Sequence, residues 1–313
     1  MMIDLPLVWG ILIAVAVLMY VVLDGFDLGI GILFPLLKGD RNRDTAINTV
    51  APVWDGNETW LILGGGGLFA VFPLAYSVLM TAFYAPLIAM LLALIFRGVA
   101  FEFRFRDRAH TPLWDTAFAG GSAVAALCQG IMLGAFIQGV AVEGRGYAGG
   151  WFDWLTPFSI FTGFALVFAY AALGAGWLIM KTEGELQSQA RRFMSPAAIA
   201  LVASLGIVSI WTPLTHPEIA DRWFSWPNIA ILSPVPIVAV ATAAGLYWAI
   251  ATRKETAPFL FALAMFVVSY VGLGVSLYPH IVPPGITIWQ AAAPDESLSF
   301  LLVGTAVLLP LVL

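Results

Sequence analysis

The chain has 313 residues, of which 61% are hydrophobic and 11% are charged, and its mean hydropathy is +0.92. Because a soluble domain carries about 25% charged residues, this composition excludes an ordinary soluble protein and indicates an integral membrane protein. The formal net charge of −5 decides little, since in a membrane protein the placement of charges matters more than their sum. No polar stretch is long enough for a separate soluble domain, so residues 1–313 are predicted to form one transmembrane domain.

Apolar runs of about 20 residues predict an all-α polytopic protein with nine membrane-spanning helices. Their approximate ranges are 6–37, 58–74, 76–97, 115–140, 157–180, 195–212, 231–251, 257–278 and 297–313. The first run is too long for one crossing and must tilt, kink near its glycines or protrude. No basic residue precedes it, so we expect a retained helix rather than a cleaved signal. No basic residue follows the last run, and we expect the native chain to continue beyond residue 313.

The basic residues predict the direction of the helices. Twelve of the fourteen Lys and Arg residues fall in the first, third, fifth and seventh loops: Lys38, Arg41, Arg43, Arg97, Arg104, Arg106, Arg108, Lys181, Arg191, Arg192, Arg253 and Lys254. Only Arg145 and Arg222 lie on the other side. Because basic loops stay in the cytoplasm, the N-terminus is predicted to face the periplasm.

Four acidic residues gather near the cytoplasmic ends of the first two predicted helices. Asp24 and Asp27 are three residues apart and share a helix face, while Asp55 and Glu58 begin the second helix. Proton handling is one interpretation, because a carboxylate inside a membrane normally faces protein or water. The alternatives are a capping box formed by Asp55 and Glu58, and interfacial placement of Asp24 and Asp27 or their pairing with Arg97.

The third helix ends in a charged stretch that contains Arg97 and Glu102. The conservative interpretation is anchoring by the positive-inside rule, with Glu102 and Arg106 as an ordinary i,i+4 ion pair. Arg97 lies deepest and is predicted to neutralise an acid from a neighbouring helix.

The glycines predict close helix packing rather than ligand binding. Gly64–Gly67 are not followed by the Lys-Ser/Thr of a phosphate loop, and small residues favour contacts between membrane helices. The same interpretation applies to Gly120, Gly121, Gly130, Gly134, Gly272 and Gly274.

The histidines argue against a haem bound by this chain alone. A haem inside a helical bundle needs His or Met axial ligands within the helices, whereas His110, His216 and His280 all fall in loops or at helix ends. Methionines inside the helices are isolated and read as packing residues.

Several stretches resemble subunit II of cytochrome bd-type ubiquinol oxidases. They are DGFDLGIGILFP (24–35), NTVAPVWDGNETWLILGGGGLFAVFPLAYS (48–77), FYAPLIAMLLALIFRGVAFEFR (83–104), YPHIVPP (278–284) and TIWQAAAPDESL (287–298). Their order and spacing match along nearly the whole chain. The short loops and YPHIVPP resemble the cyanide-insensitive branch.

The resemblance implies a bacterial inner-membrane enzyme that oxidises quinol and reduces dioxygen to water. It also implies two four-helix bundles plus a ninth helix, with helices 1–4 at about 6–140 and helices 5–8 at about 157–278. Subunit I would carry two b haems, haem d and the quinol site, whereas this chain would carry no cofactor. Further expected partners are membrane lipids and, in some members, a small single-span subunit; a structural quinone or lipid between the helices is an open alternative, and no nucleic acid is expected.

The resemblance also assigns roles to particular residues. Asp55 matches the acid of the W-D-G-N motif, which is implicated in proton delivery at the subunit interface, and Asp24, Asp27 and Glu102 match acids near the same end. Glu58 departs from the family pattern. It is a candidate because of its position beside Asp55, and not because of the resemblance. Trp60 matches a position associated with an oxygen route, with interfacial anchoring as the alternative.

Two rival functions stay open on the sequence. A secondary transporter would use the acids for proton coupling, although broken helices in matching positions of two halves are not evident. A purely structural scaffold would tolerate neutralisation of every acid.

Overall fold

The computed structural model describes the backbone of residues 4–312 and the side chains of residues 4–307. The helices are α1 (Leu5–Leu33), α2 (Asp40–Asn48), α3 (Trp54–Val71), α4 (Pro73–Ala82), α5 (Tyr84–Arg106), α6 (Thr111–Gln138), α7 (Pro157–Lys181), α8 (Gly184–Thr215), α9 (Pro217–Phe224), α10 (Asn228–Leu232), α11 (Pro234–Ala251), α12 (Ala257–Leu277), α13 (Ile288–Ala291) and α14 (Asp295–Val312). Two short antiparallel hairpins pair β1 (Val142–Glu143) with β2 (Gly146–Tyr147), and β3 (His280–Val282) with β4 (Ile286–Thr287).

Seven helical segments are long and apolar enough to cross a membrane in the part of the chain that the structure describes. They are Leu5–Leu36, Tyr84–Arg106, Arg108–Gln138, Pro157–Lys181, Gly184–Thr215, Asn228–Ala251 and Ala257–Leu277. The predicted second and ninth spans correspond to α3 and α14, which have 18 residues each. The all-helical membrane architecture is therefore confirmed, while the count of nine spans stays a prediction.

The predicted helix at 76–97 is wrong, because the structure divides this region between α4 and α5. Pro86 has no N–H donor, and its ring would clash with the carbonyl of Ala82, where α4 ends. A helix that began at residue 76 therefore breaks at Phe83, and α5 then continues nine residues beyond the predicted end, to Arg106.

The predicted helix at 195–212 is too short. In the structure α8 begins at Gly184, and its polar first part, including Arg191 and Arg192, was assigned to a loop. This part is amphipathic rather than apolar, since Leu186 and Ala190 are buried while Ser188 and Arg192 are exposed. A search for apolar runs finds the membrane-spanning part of such a helix and misses its extension into the aqueous phase.

Contacts between loops define the two ends of the molecule. At the basic end, the Lys38 N–H donates to Gln189 Oε1 at 2.8 Å, and Arg191 donates to the Lys254 carbonyl at 3.1 Å. At the opposite end, the Trp9 indole donates to the Leu298 carbonyl at 3.1 Å. The predicted basic loops thus lie together at one end, as a helix bundle with alternating directions requires.

Glycines allow the closest helix crossings. A Cβ placed on Gly29 of α1 would lie 2.8 Å from the Gly174 nitrogen of α7, and one on Gly130 of α6 would lie 2.5 Å from the Thr162 carbonyl oxygen of α7. These contacts are backbone against backbone, which is the geometry that small residues permit in membranes. The packing prediction is also confirmed for Gly64, Gly67, Gly121, Gly134 and Gly272. Gly65, Gly66, Gly120 and Gly274 meet no atom of the described residues within 4 Å, so for these four the packing role stays a prediction.

Candidate functional site

The most unusual feature of the interior is Arg97, a fully buried guanidinium surrounded by three acids. Its Nη1 donates to Glu58 Oε1 at 2.5 Å and lies 3.1 Å from Asp24 Oδ1. Its Nη2 lies 3.9 Å from Asp27 Oδ2. Asp24 and Asp27 are fully buried, whereas the Glu58 side chain keeps 23% of its surface exposed. We call these four residues the Arg97 cluster, and Glu58 is its one member open to solvent.

The residues of the Arg97 cluster lie on three helices, α1, α3 and α5. The local sequence explains how each side chain reaches the cluster. The three-residue spacing of Asp24 and Asp27 places both carboxyls on one face of α1. Glu58 lies one turn into α3, on the face that meets α1 and α5. On α5, the Arg97 guanidinium lies 5.4 Å from the centre of the Phe101 ring, a cation–π contact that adds to its neutralisation.

Aromatic and small residues hold α5 in position around Arg97. Trp54, the first residue of α3, stacks on Phe101 with ring centres 4.7 Å apart and planes at 8°. On the other side, a Cβ at Gly121 of α6 would lie 3.0 Å from the Arg97 Cβ. Substitution of Trp54 or Gly121 would therefore move the Arg97 guanidinium relative to the acids of the cluster.

Hydrogen bonding inside the cluster is incomplete. Asn57 donates from Nδ2 to Asp27 Oδ2 at 2.8 Å. The approach of Arg97 to Asp24 lacks hydrogen-bond geometry, so both Asp24 oxygens, Asp27 Oδ1, and Arg97 Nε and Nη2 have no hydrogen-bond partner among the described residues. Buried polar atoms without partners are costly and are rare in structural ion pairs. These atoms therefore make the Arg97 cluster the part of the described interior with the most incomplete hydrogen bonding.

A polar chain continues from the cluster toward the middle of the bundle. Tyr20 lies one turn from Asp24 on α1, and its hydroxyl accepts a hydrogen bond from Gln129 Nε2 at 2.7 Å. The Tyr170 hydroxyl of α7 donates to Gln129 Oε1, also at 2.7 Å. Tyr20 and Tyr170 are buried. The sequence analysis did not identify Tyr20, Gln129, Tyr170 or Asn57 as site residues. Two signals could have identified some of them: a glutamine inside an apolar run, and the amide of the W-D-G-N motif.

The other predicted site residues lie outside the cluster. Asp55 is exposed in the first turn of α3. The capping box predicted for it is wrong, because α3 begins at Trp54 with Val53 as its N-cap, so Asp55 is already helical. Glu102 is exposed on α5 and forms the predicted i,i+4 pair with Arg106 at 3.1 Å. Trp60 is half-buried on α3.

A second ion-pair group fastens the basic end. Arg104 is fully buried, pairs with Asp44 of α2, and donates from Nε to Asp115 Oδ1 of α6 at 2.6 Å. Arg43 also pairs with Asp115, at 3.3 Å, and Arg108 with Asp44, at 3.4 Å. Arg104, predicted to be a simple interfacial anchor, instead ties the first loop to α5 and α6.

The three histidines lie at helix ends or in a strand rather than in the middle of a helix. His110 precedes α6, and its Nδ1 lies 2.9 Å from Asp107, whose pKa this contact lowers. His216 caps the C-terminus of α8 with Nε2 3.3 Å from the Gln138 carbonyl oxygen, and His280 lies in β3. Among the described residues, no group of three or more His, Cys, Asp or Glu is arranged to hold a metal ion.

Fold and site together define a class of protein, namely a polytopic helical membrane protein with ion-paired acids buried between its helices. The chain belongs to the family of cytochrome bd terminal oxidase subunit II, whose model matches residues 5–313. The family predicted from the sequence motifs is thereby confirmed. Membership as subunit II of such an oxidase implies a subunit I as partner.

Individual relatives match over nearly their whole length. The cytochrome bd-I ubiquinol oxidase subunit 2 of Escherichia coli strain K12 is 29% identical, with 99% of this chain and 91% of the relative covered. The cytochrome bd ubiquinol oxidase subunit 2 of Bacillus subtilis strain 168 is 28% identical, with 97% and 91% covered. The bd oxidase structure from Geobacillus thermodenitrificans matches with a TM-score of 0.77 at 18% identity, covering 98% of this chain and 95% of that chain, which shows a common fold.

Proposed function

We propose that this chain is the haem-free subunit of a quinol:dioxygen oxidoreductase and that it delivers cytoplasmic protons toward subunit I. In this reaction two quinols are oxidised while one dioxygen takes up four electrons and four protons and forms two waters. The two b haems, haem d and the quinol site would belong to subunit I. Drawing the protons from the cytoplasm alone generates a membrane potential without a pump.

The charge balance of the Arg97 cluster is the observation that carries this proposal. One guanidinium faces three carboxyl groups, which would leave a net charge of −2 if all three were ionised. An uncompensated buried charge costs several kcal/mol, so the cluster favours a state in which carboxyl groups hold protons. Because neighbouring acids share the same countercharge, a proton that leaves one of them is readily replaced through another.

The positions of the acids supply a direction. Asp55 is exposed at the basic end, and Glu58 follows it by three residues on α3, close to one helical turn. Glu58 reaches Arg97 while keeping contact with solvent, and Asp24 and Asp27 lie deeper. The route would therefore run from Asp55 through Glu58 into the cluster. Glu102 lies on the surface of α5, away from this route, and its role in proton delivery stays a prediction.

The surrounding arrangement is proposed on the same basis. We place the N-terminus in the periplasm of a bacterial inner membrane, with nine spans in one domain over 1–313. Two four-helix bundles and a ninth helix would form it, and α1 and α6 of the first bundle pack against α7 of the second. A small single-span subunit, lipids and a structural quinone stay as candidate partners, and Trp60 as a candidate on an oxygen route.

Substitution of Asp55 tests the proton route. Asp55→Asn, co-expressed with subunit I, should leave the haem d absorption spectrum unchanged and slow quinol-driven oxygen consumption by about tenfold, which corresponds to about 1.4 kcal/mol. Glu183→Gln is the matched control, since Glu183 is an exposed acid at the same end without a capping hydrogen bond. Asp55→Glu should restore the rate. Unchanged oxygen consumption in both Asp55→Asn and Glu58→Gln would contradict proton delivery. The remaining interpretation would then be that the chain is a purely structural subunit.

A further inference from the structure

A separate pocket of about 330 Å³ opens at the basic end, among α7, α8, α11 and α12. Its floor is apolar and buried, formed by Ile179, Met194 and Pro258. Its rim carries three arginines, Arg191, Arg192 and Arg253. The volume falls within the range of about 300 to 1,000 Å³ that is typical of small-molecule sites. The pocket lies in the second half of the chain and shares no residue with the Arg97 cluster.

The positive charge of this rim is not neutralised by an ion pair in the part of the chain that the structure describes. Among residues 4–307, no carboxylate lies within 4.0 Å of Arg191, Arg192 or Arg253, whereas Arg97 and Arg104 each pair with at least two acids. The one polar contact of Arg191 is a hydrogen bond from Nη1 to the Lys254 carbonyl, at 3.1 Å. Three guanidinium groups beside an apolar floor suit an amphiphilic ligand with a negative head.

The backbone at Arg253 is strained, and the strain places this side chain on the rim. α11 ends in a Schellman motif, in which the Lys254 N–H donates to the Ala249 carbonyl at 3.0 Å and the Arg253 N–H to the Ile250 carbonyl at 3.1 Å. The C′ position of this motif is left-handed and is usually glycine. Here Arg253 occupies it with φ of 53°. A non-glycine residue costs roughly 1–2 kcal/mol in that conformation, so a side chain kept there points to a function for its head group.

Aromatic residues place the pocket at the level of the membrane surface. The Lys181 ammonium lies 5.0 Å from the centre of the Trp177 ring, and the Lys254 ammonium lies 5.6 Å from that of Trp248. Tryptophan beside lysine is typical of the interface between hydrocarbon and water. The arginines are therefore at head-group depth, and the apolar floor lies where acyl chains begin.

We propose that this pocket binds the phosphate of an anionic phospholipid, with the glycerol and the first methylenes of its chains on the apolar floor. Guanidinium groups bind phosphate oxygens through paired hydrogen bonds, and basic residues between membrane helices on the cytoplasmic side suit anionic head groups. Inorganic phosphate offers the same oxygens without the chains. The floor of Ile179, Met194 and Pro258 favours the lipid.

The test uses the assembled oxidase, purified with subunit I and depleted of lipid in detergent. Thermal unfolding is followed while dioleoylphosphatidylglycerol, dioleoylphosphatidylcholine or inorganic phosphate is added. We expect the anionic lipid to raise the Tm of the wild type and the other two probes to leave it unchanged. Arg192→Gln and Arg253→Gly should each weaken the apparent affinity for the anionic lipid by about fivefold, as expected for one basic residue near a membrane surface.

Arg253→Gly separates binding from folding. Glycine relieves the left-handed strain, so this variant should unfold at the wild-type temperature or above it without lipid, yet need about fivefold more anionic lipid for the same rise in Tm. Arg41→Gln is the matched control, because Arg41 is an exposed arginine at the same end, away from the pocket. Equal responses of Arg253→Gly, Arg192→Gln and the control would overturn the proposal. A response to inorganic phosphate equal to that of the lipid would assign the site to a soluble anion and overturn the lipid assignment.

Discussion

Removal of the Arg97 side-chain charge is the most direct test of the buried cluster. In Arg97→Gln the acids of α1 and α3 lose their shared countercharge at separations of 2.5, 3.1 and 3.9 Å. At an effective dielectric constant of about 20, one ion pair at about 3 Å is worth roughly 5 kcal/mol before desolvation. Experiments that remove one partner of a buried pair give about 3–5 kcal/mol. We expect a loss in this range, lowered in part because the carboxyl groups can take up protons.

The assay is denaturant-induced unfolding of the assembled oxidase, followed by the haem absorption of the complex and by retention of this chain. A companion variant supplies the control: Arg97→Gln combined with Asp24→Asn, Asp27→Asn and Glu58→Gln replaces the whole ionic group by neutral amides. This combination should recover most of the lost stability, because exchange of a complete buried ion group is often close to neutral. If Arg97→Gln alone is as stable as the wild type, or if the combined variant is less stable than Arg97→Gln, the charge-balance argument is wrong.

Two further variants test the packing and the polar chain. Gly29→Ala should lower stability by about 1–3 kcal/mol, measured by thermal unfolding of the complex, because the added methyl would overlap the α7 backbone; Gly206→Ala, with no neighbouring atom within 4 Å among the described residues, should have little effect. Tyr170→Phe removes the donor to Gln129 and leaves a buried amide oxygen unpaired, which should cost about 1–3 kcal/mol in the same measurement. Tyr247→Phe on the exposed surface is its control, and equal losses in the two tyrosine variants would contradict the buried hydrogen bond.

Much of the helical architecture could be predicted because lipid imposes one strong rule on sequence. A segment that crosses the hydrocarbon must be apolar over about 20 residues, and this rule locates most helices to within a few residues. It says nothing about amphipathic helices in water, so α2, α9 and the first three turns of α8 were missed. It also ignores the backbone chemistry of proline, which is why the break between α4 and α5 at Pro86 was not predicted.

The site was predicted in part, for a different physical reason. Buried ions need partners, so pairing of Asp24 and Asp27 with Arg97 was one of the alternatives that the sequence left open, and the structure brings these three residues together. The partner of a neutral polar group cannot be inferred in this way, because Tyr20 and Gln129 lie 109 residues apart and meet only through the tertiary fold. The capping box considered as an alternative for Asp55 does not form, because α3 starts earlier than its apolar run suggests.

The crossing of α1 and α7 at Gly29 and Gly174 limits how the chain can move. The two halves of the chain touch there through main-chain atoms of Gly29 and Gly174, so the two backbones would have to separate if one half turned against the other. Transporters that expose a site alternately to each side of the membrane depend on such turning. Contact between the two main chains at this crossing therefore resists the rotation that alternating access requires.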